Sequence, residues 1–153
     1  MPERRLSAIM FTDIAGYTAI MGKNEKEAPR LLEENTKIHR EQIEIHHGQL
    51  LKIIGDGILA CFNSSTDAVQ CAKALLIESG KVDQLRLHIG IHEGEVIITD
   101  NDVIGDGVNL ASRIVNLADA DTILVSETVF HNIRNKENIR AELIGSKNLK
   151  NVD

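Results

Sequence analysis

Hydrophobic residues in this chain fall into two kinds of pattern. Short continuous apolar runs cover residues 6–11, 50–54 and 58–62, and strict alternation covers 85–92, where Leu85, Leu87, Ile89 and Ile91 point one way and Arg86, His88, Gly90 and His92 the other. Both patterns predict strands. Helical spacing predominates elsewhere. Asn24-Glu25-Lys26-Glu27 has the form of a capping box with Asn24 as N-cap, and predicts a long helix to about His47. Leu31, Ile38 and Ile45 would lie on its buried stripe, Pro29 near its start, and Gly48 would stop it. Residues 49–54 and 58–62 read as a hairpin around Gly55-Asp56-Gly57. A helix over about 67–78 carries Ala68, Cys71, Ala72 and Leu75 on its apolar side. Glu93-Gly94 reads as a turn into a partner strand, 95–99. Then come a helix over 108–117, a strand at 122–125, a brief helix reaching Ile133 and a last strand at 139–143.

This order predicts an α+β fold with a ferredoxin-like βαββαβ core, helices packing on an antiparallel-rich sheet. At 153 residues the chain reads as one domain, able to bury about two thirds of its unfolded surface. Its polar end, without a closing strand, suggests a domain cut from something longer. Three Phe, one Tyr and no Trp leave the core to Ile and Leu. The net charge of −6 argues against nucleic acid or an acidic membrane surface as a general partner. No apolar run has the length of a membrane span, and no signal-peptide core follows the charged start. Cys61 and Cys71 lack metal-ligand spacing and read as buried thiols of a cytoplasmic protein.

The candidate chemistry begins with two aspartates. Asp13 follows the first apolar run and Asp56 the second, held between glycines. Singly, either could be a cap or a turn residue. If their strands are neighbours, the two carboxylates meet. Such hard oxygen ligands suit Mg²⁺ or Mn²⁺, and a pair of these ions can clamp an in-line phosphoryl displacement. Asn109 and Arg113, four apart on one helix face, could meet a sugar and a phosphate, or form an ordinary solvated face. Lys52 and Asp102 could together read adenine: the lysine donates to a ring nitrogen and the carboxylate accepts from the exocyclic amine. Guanine would prefer the reverse. His88 and His92 share a strand face but lie roughly 13 Å apart along it, which makes a zinc site a poor reading. The Walker phosphate loop and the hydrolase nucleophile elbow are absent.

Four blocks occur in one order: Phe11-Thr12-Asp13-Ile14, Lys52-Ile53-Ile54-Gly55-Asp56-Gly57, Ile89-Gly90-Ile91-His92-Glu93-Gly94, and the stretch from Asp102 through Gly105-Asp106-Gly107 and Asn109 to Arg113. Together they resemble the catalytic domain of class III nucleotidyl cyclases, the adenylyl and guanylyl cyclases, and most of all the bacterial adenylyl cyclases, over about residues 6–152. The resemblance implies conversion of ATP to 3′,5′-cyclic AMP and pyrophosphate with two divalent cations, Mg²⁺ or Mn²⁺. By position, Asp13, Asp56 and the Ile14 backbone carbonyl would hold the metals, and Lys52 and Asp102 the base. Asn109 would orient the ribose, Arg113 would stabilise charge on the α-phosphate, and Lys150 would contact the terminal phosphates. It also implies a head-to-tail homodimer with two shared sites, the metal aspartates from one chain and Lys52, Asp102, Asn109 and Arg113 from the other. A non-catalytic nucleotide-binding regulatory module and a guanylyl cyclase are the alternatives. His88 stands where many members carry an arginine that meets pyrophosphate. The segment between Glu95 and Asp102 is short, and the family's final strand after Lys150 is missing.

Overall fold

A computed structural model of the chain describes residues 3–100 and 102–136. In order, the elements are β1 (Glu3–Ile14), α1 (Tyr17–Lys23), α2 (Glu27–Ile45), β2 (Gln49–Ile54), β3 (Gly57–Phe62), α3 (Ser65–Ser79), β4 (Leu87–Ile98), β5 (Val103–Ile104), α4 (Asp106–Leu117), β6 (Thr122–Val125) and α5 (Glu127–Ile133). The sheet runs β2-β3-β1-β4-β5, with β6 also on β4. Its first four strands, with the helices between them, form the expected ferredoxin-like core. β1 pairs antiparallel with β3 from Ala8↔Phe62 to Thr12↔Ile58, and with β4 from Glu3↔Ile98 to Ile14↔Leu87. β6 adds the one parallel pairing described, His88↔Thr122 to Ile91↔Val125.

Period-two alternation divides each central strand between two cores. Ala8, Met10, Ile58, Ala60, Phe62, Leu87, Ile89 and Ile91 face α2, α3 and α5, whose Leu31, Ile38, Leu75 and Val129 complete the larger cluster. Ile9, Leu59 and Val96 face the other way, with Val103 of β5 and Ala111 of α4. The core is largely aliphatic, as the composition requires; Cys61 and Cys71 lie buried as free thiols. No described helix is long and apolar enough to cross a membrane.

Several local expectations are corrected. The capping box does not form. A helix missed from sequence, α1, ends on Asn24 as its C-cap, and α2 starts from Lys26 without a side-chain cap. Pro29 then falls in the first turn of α2, where its missing N–H costs nothing. Ile43 is buried and Ile45 is exposed, because seven-residue spacing drifts off the buried stripe of a 3.6-residue helix. The left-handed residue after α2 is His47 (φ 62) rather than Gly48. Glu93-Gly94 makes no turn: β4 runs unbroken for 12 residues, and β5 is the partner it meets at Ile97–Ile98. The predicted strand at 139–143 lies outside the described residues.

One polar link spans the larger core. His39 is fully buried on α2. Its Nδ1 lies 2.8 Å from the Asn35 carbonyl and its Nε2 2.7 Å from Thr12 Oγ1. A carbonyl only accepts, so Nδ1 carries the proton and the Thr12 hydroxyl donates to Nε2. Burial pushes the imidazole pKa down to about 4, against the opposing pull of the Asn35 carbonyl. The unfolded chain, with its ordinary histidine, therefore binds this proton more readily. Stability from this residue is complete above the ordinary value and is lost as pH falls from about 6.5 towards 4, by roughly 3 kcal/mol. Urea unfolding across that window should show the decline, and His39→Leu should flatten it; an unchanged slope in the variant would assign the decline to other groups.

Candidate active site

The hairpin β2–β3 closes through Gly55 and Asp56, with Ile54 paired to Gly57. Gly55 has φ 60, the positive dihedral that a two-residue hairpin requires at its first central position. The β1–β3 ladder stops at Thr12↔Ile58, so the turn overhangs the end of β1. There Asp56 Oδ2 accepts the backbone N–H of Ile14 at 3.0 Å. The two sequence-predicted aspartates are thus brought together. Asp13 is half-buried, and its Oδ1 is buried without a hydrogen-bond partner among the described residues. Its pKa is raised: burial does most, His88 across the strand opposes, and the Asp56 charge adds to the rise.

This donor set fits a divalent cation. An unpartnered buried carboxylate oxygen beside a second carboxylate leaves negative charge that a cation would neutralise. Among the described residues no group of three or more His, Cys, Asp or Glu side chains converges. Two carboxylates and a main-chain carbonyl suit an ion that keeps waters and leans on substrate phosphates.

Lys52 and Asp102 also meet. Lys52 Nζ lies 2.9 Å from Asp102 Oδ1, which also takes the Val103 N–H at 2.8 Å. Neither bond uses Oδ2. The Lys52 hydrogen bond, then the Val103 N–H, then the lysine charge hold the Asp102 carboxyl below its ordinary range. β2 and β5 are the outer strands of the sheet path, so this contact requires strong coiling of the sheet. Leu51, Leu59, Ile9, Val96 and Val103, from five strands, accordingly pack in one cluster.

Asn109 and Arg113 ride on α4, which lies against β4. A Cβ on Gly90 would stand 2.5 Å from the Val115 backbone nitrogen, so glycine there sets how closely helix and strand approach. Gly107, Ala111, Ile114 and Val115 face the sheet; Asn109 is exposed and Arg113 half-buried. Among the described residues neither side chain has a hydrogen-bond or ion-pair partner, and neither is linked to Asp13 or Asp56. His88 donates from Nδ1 to the Ala118 carbonyl at the end of α4 (2.8 Å). Lys150 lies outside the described residues.

The profile of the adenylate and guanylate cyclase catalytic domain matches residues 3–151. The chain belongs to this cyclase family. Over 85% of its length it is 34% identical to an adenylate cyclase of Streptomyces coelicolor. The solved adenylate/guanylate cyclase/hydrolase of Silicibacter pomeroyi is 28% identical, with a TM-score of 0.89 over 100% of this chain and 94% of that one. The guanylyl cyclase Cya2 is 26% identical, with a TM-score of 0.77 over 85% of this chain and 79% of that one. The cyclase domain spans about a third or less of the length of the curated relatives it matches.

Sequence reading missed two contacts of this cyclase domain: Thr12 with His39, and His88 with Ala118. The signal for the first was available, since Asn35 and His39 are polar residues on the buried side of α2. The second depends on where α4 ends against β4, which no pattern encodes. Gly90→Ala should force α4 off the sheet and cost about 1–3 kcal/mol in urea unfolding. Gly22→Ala, on α1 with nothing within 4 Å of the added carbon, should cost nothing. Equal stabilities for the two variants would refute the close-packing role of Gly90.

Proposed function

We propose that this domain is an adenylyl cyclase, converting ATP to 3′,5′-cyclic AMP and pyrophosphate at sites shared between two copies of the chain. The observation that carries the choice of base is the Lys52–Asp102 pair at 2.9 Å. The lysine retains protons for a ring nitrogen. Asp102, held ionised, is an acceptor only, and its Oδ2 is open to the exocyclic amine of adenine. The carbonyl of guanine at that edge would meet a like acceptor.

In this reading Asp13, Asp56 and the Ile14 carbonyl would hold two divalent cations, Mg²⁺ or Mn²⁺, which would supply acidification of the ribose 3′-hydroxyl and neutralisation of phosphate charge. Asn109 orients the ribose, so that the 3′-oxygen faces the α-phosphorus. The 3′-hydroxyl releases its proton to solvent, and a new P–O bond forms there as the bond to the bridging oxygen breaks and pyrophosphate leaves. Arg113, without an ion-pair partner among the described residues, sets its planar guanidinium against the charge gathering on the α-phosphate. Lys150 contacts the terminal phosphates. The metal half and the nucleotide half of one chain serve different sites of a head-to-tail dimer, and the exposed Leu6, Ile53, Ile54 and Ile104 offer apolar surface for such a pairing to cover. The likeness to the guanylyl cyclase Cya2 favours GTP as the second reading.

Cyclic nucleotide formation from ATP and from GTP, with Mn²⁺ and with Mg²⁺, should yield chiefly cyclic AMP, at a rate rising more than linearly with protein concentration. Chiefly cyclic GMP would refute the base assignment, activity per chain unchanged on dilution would refute the shared site, and no product from either would mark a regulatory module. Arg113→Ala should lower kcat about 100-fold or more while ATP KM changes little; a loss confined to KM would remove Arg113 from the transition state.

A further inference from the structure

The ladder supporting β1 is uneven at the end that matters. From Ala8 to Thr12 the strand is paired on both sides, to β3 and to β4; Asp13 and Ile14 pair, as strand residues, only with His88 and Leu87 of β4. Thr12 is therefore the last doubly held residue before the carboxylate. It is also the point at which a side chain from the helical layer takes hold. Thr12 and His39 are both fully buried, their 2.7 Å contact uses the Thr12 hydroxyl proton, and the far side of the ring is fixed by Asn35. A β-branched residue has few χ1 choices, so a buried hydrogen bond on its hydroxyl fixes both rotamer and strand height. Asp13, one residue on, points to the opposite face, where its Oδ1 has no hydrogen-bond partner among the described residues. Nothing described on that face ties down this oxygen.

We propose that His39 is a positioning residue for the cation site: through Thr12 it clamps β1 from the helical face and thereby fixes the height at which Asp13 is presented on the other. This rests on the reading of Asp13 and Asp56 as cation-holding carboxylates. His39 touches neither substrate nor cation. It acts on a ligand through the backbone of one intervening residue, as outer partners of metal ligands commonly do through hydrogen bonds.

The test is Mn²⁺ uptake by the full chain without nucleotide, followed by the EPR signal of free Mn²⁺, on variants shown by thermal unfolding to be folded at the assay temperature. Thr12→Ser keeps the hydroxyl and should bind as the unmodified chain does. Thr12→Val keeps the shape and removes the proton donor; it should bind about tenfold more weakly. His39→Leu removes the acceptor from the other side and should weaken uptake similarly, which keeps the test open should Thr12→Val fail to fold. Asp13→Asn should lose the site. If Asp13→Asn loses Mn²⁺ while folded Thr12→Val or His39→Leu binds like the unmodified chain, the positioning role is overturned and the cation reading stands. If Asp13→Asn binds undiminished, or the unmodified chain takes up no Mn²⁺ at millimolar concentration, the cation reading falls and the proposal with it.

Discussion

Strand β1 is hydrogen-bonded to β3 on one side and β4 on the other, and buried on both faces. Every functional group of the domain is placed relative to it. A strand in that position cannot slip by one residue, because the slip would exchange its two faces. Ala8, Met10 and Thr12 would then meet the α4 side, and Ile9 and Asp13 would be driven among the apolar residues of α2 and α3. The register that buries Ile9 and Met10 in separate cores is the register that leaves Asp13 at the end of the strand, within reach of the β2–β3 turn.

The two sites that collect on this frame treat their carboxylates in opposite ways. Asp13 is half-buried beside Asp56, and its pKa is raised. Asp102 is exposed, bonded to Lys52 and a backbone N–H, and its pKa is lowered. The first environment holds negative charge at a disadvantage and so favours a cation. The second holds a carboxylate ionised and fixed, as recognition of a donor requires. Carboxylates separated by environment in this way commonly divide roles within one site. Here they stand in different groups of one chain.

Close packing carries as much of the arrangement as charge does. α4 bears Asn109 and Arg113, yet among the described residues no polar contact of those two side chains holds it in place. Its seat is set by Gly90 beneath Val115, by Ala111 in the smaller cluster, and by the His88 bond to Ala118. His88 thus has one ring nitrogen engaged in fixing a helix end.

The strands, the hairpin, the helices after Ser64 and Gly105, and the α+β class were legible because each rests on local periodicity and turn chemistry. The chemistry-bearing residue types and their order were legible too, because a motif is a one-dimensional object. The start of α2, the continuity of β4 through Glu93-Gly94 and the short β5 were not, since each depends on what packs alongside. A Gly after a polar residue reads as a turn, but β4 is held straight by its unbroken pairing with β1. Likewise the proximity of Asp13 to Asp56 could be supposed only if two strands were neighbours, and that of Lys52 to Asp102 depends on coiling that joins the sheet's edges. Which residues can bind and react follows from side-chain chemistry and spacing along the chain. Which of them meet follows from the fold, because contacts between residues 42 and 50 positions apart are set by strand order, twist and the packing of helices on both faces.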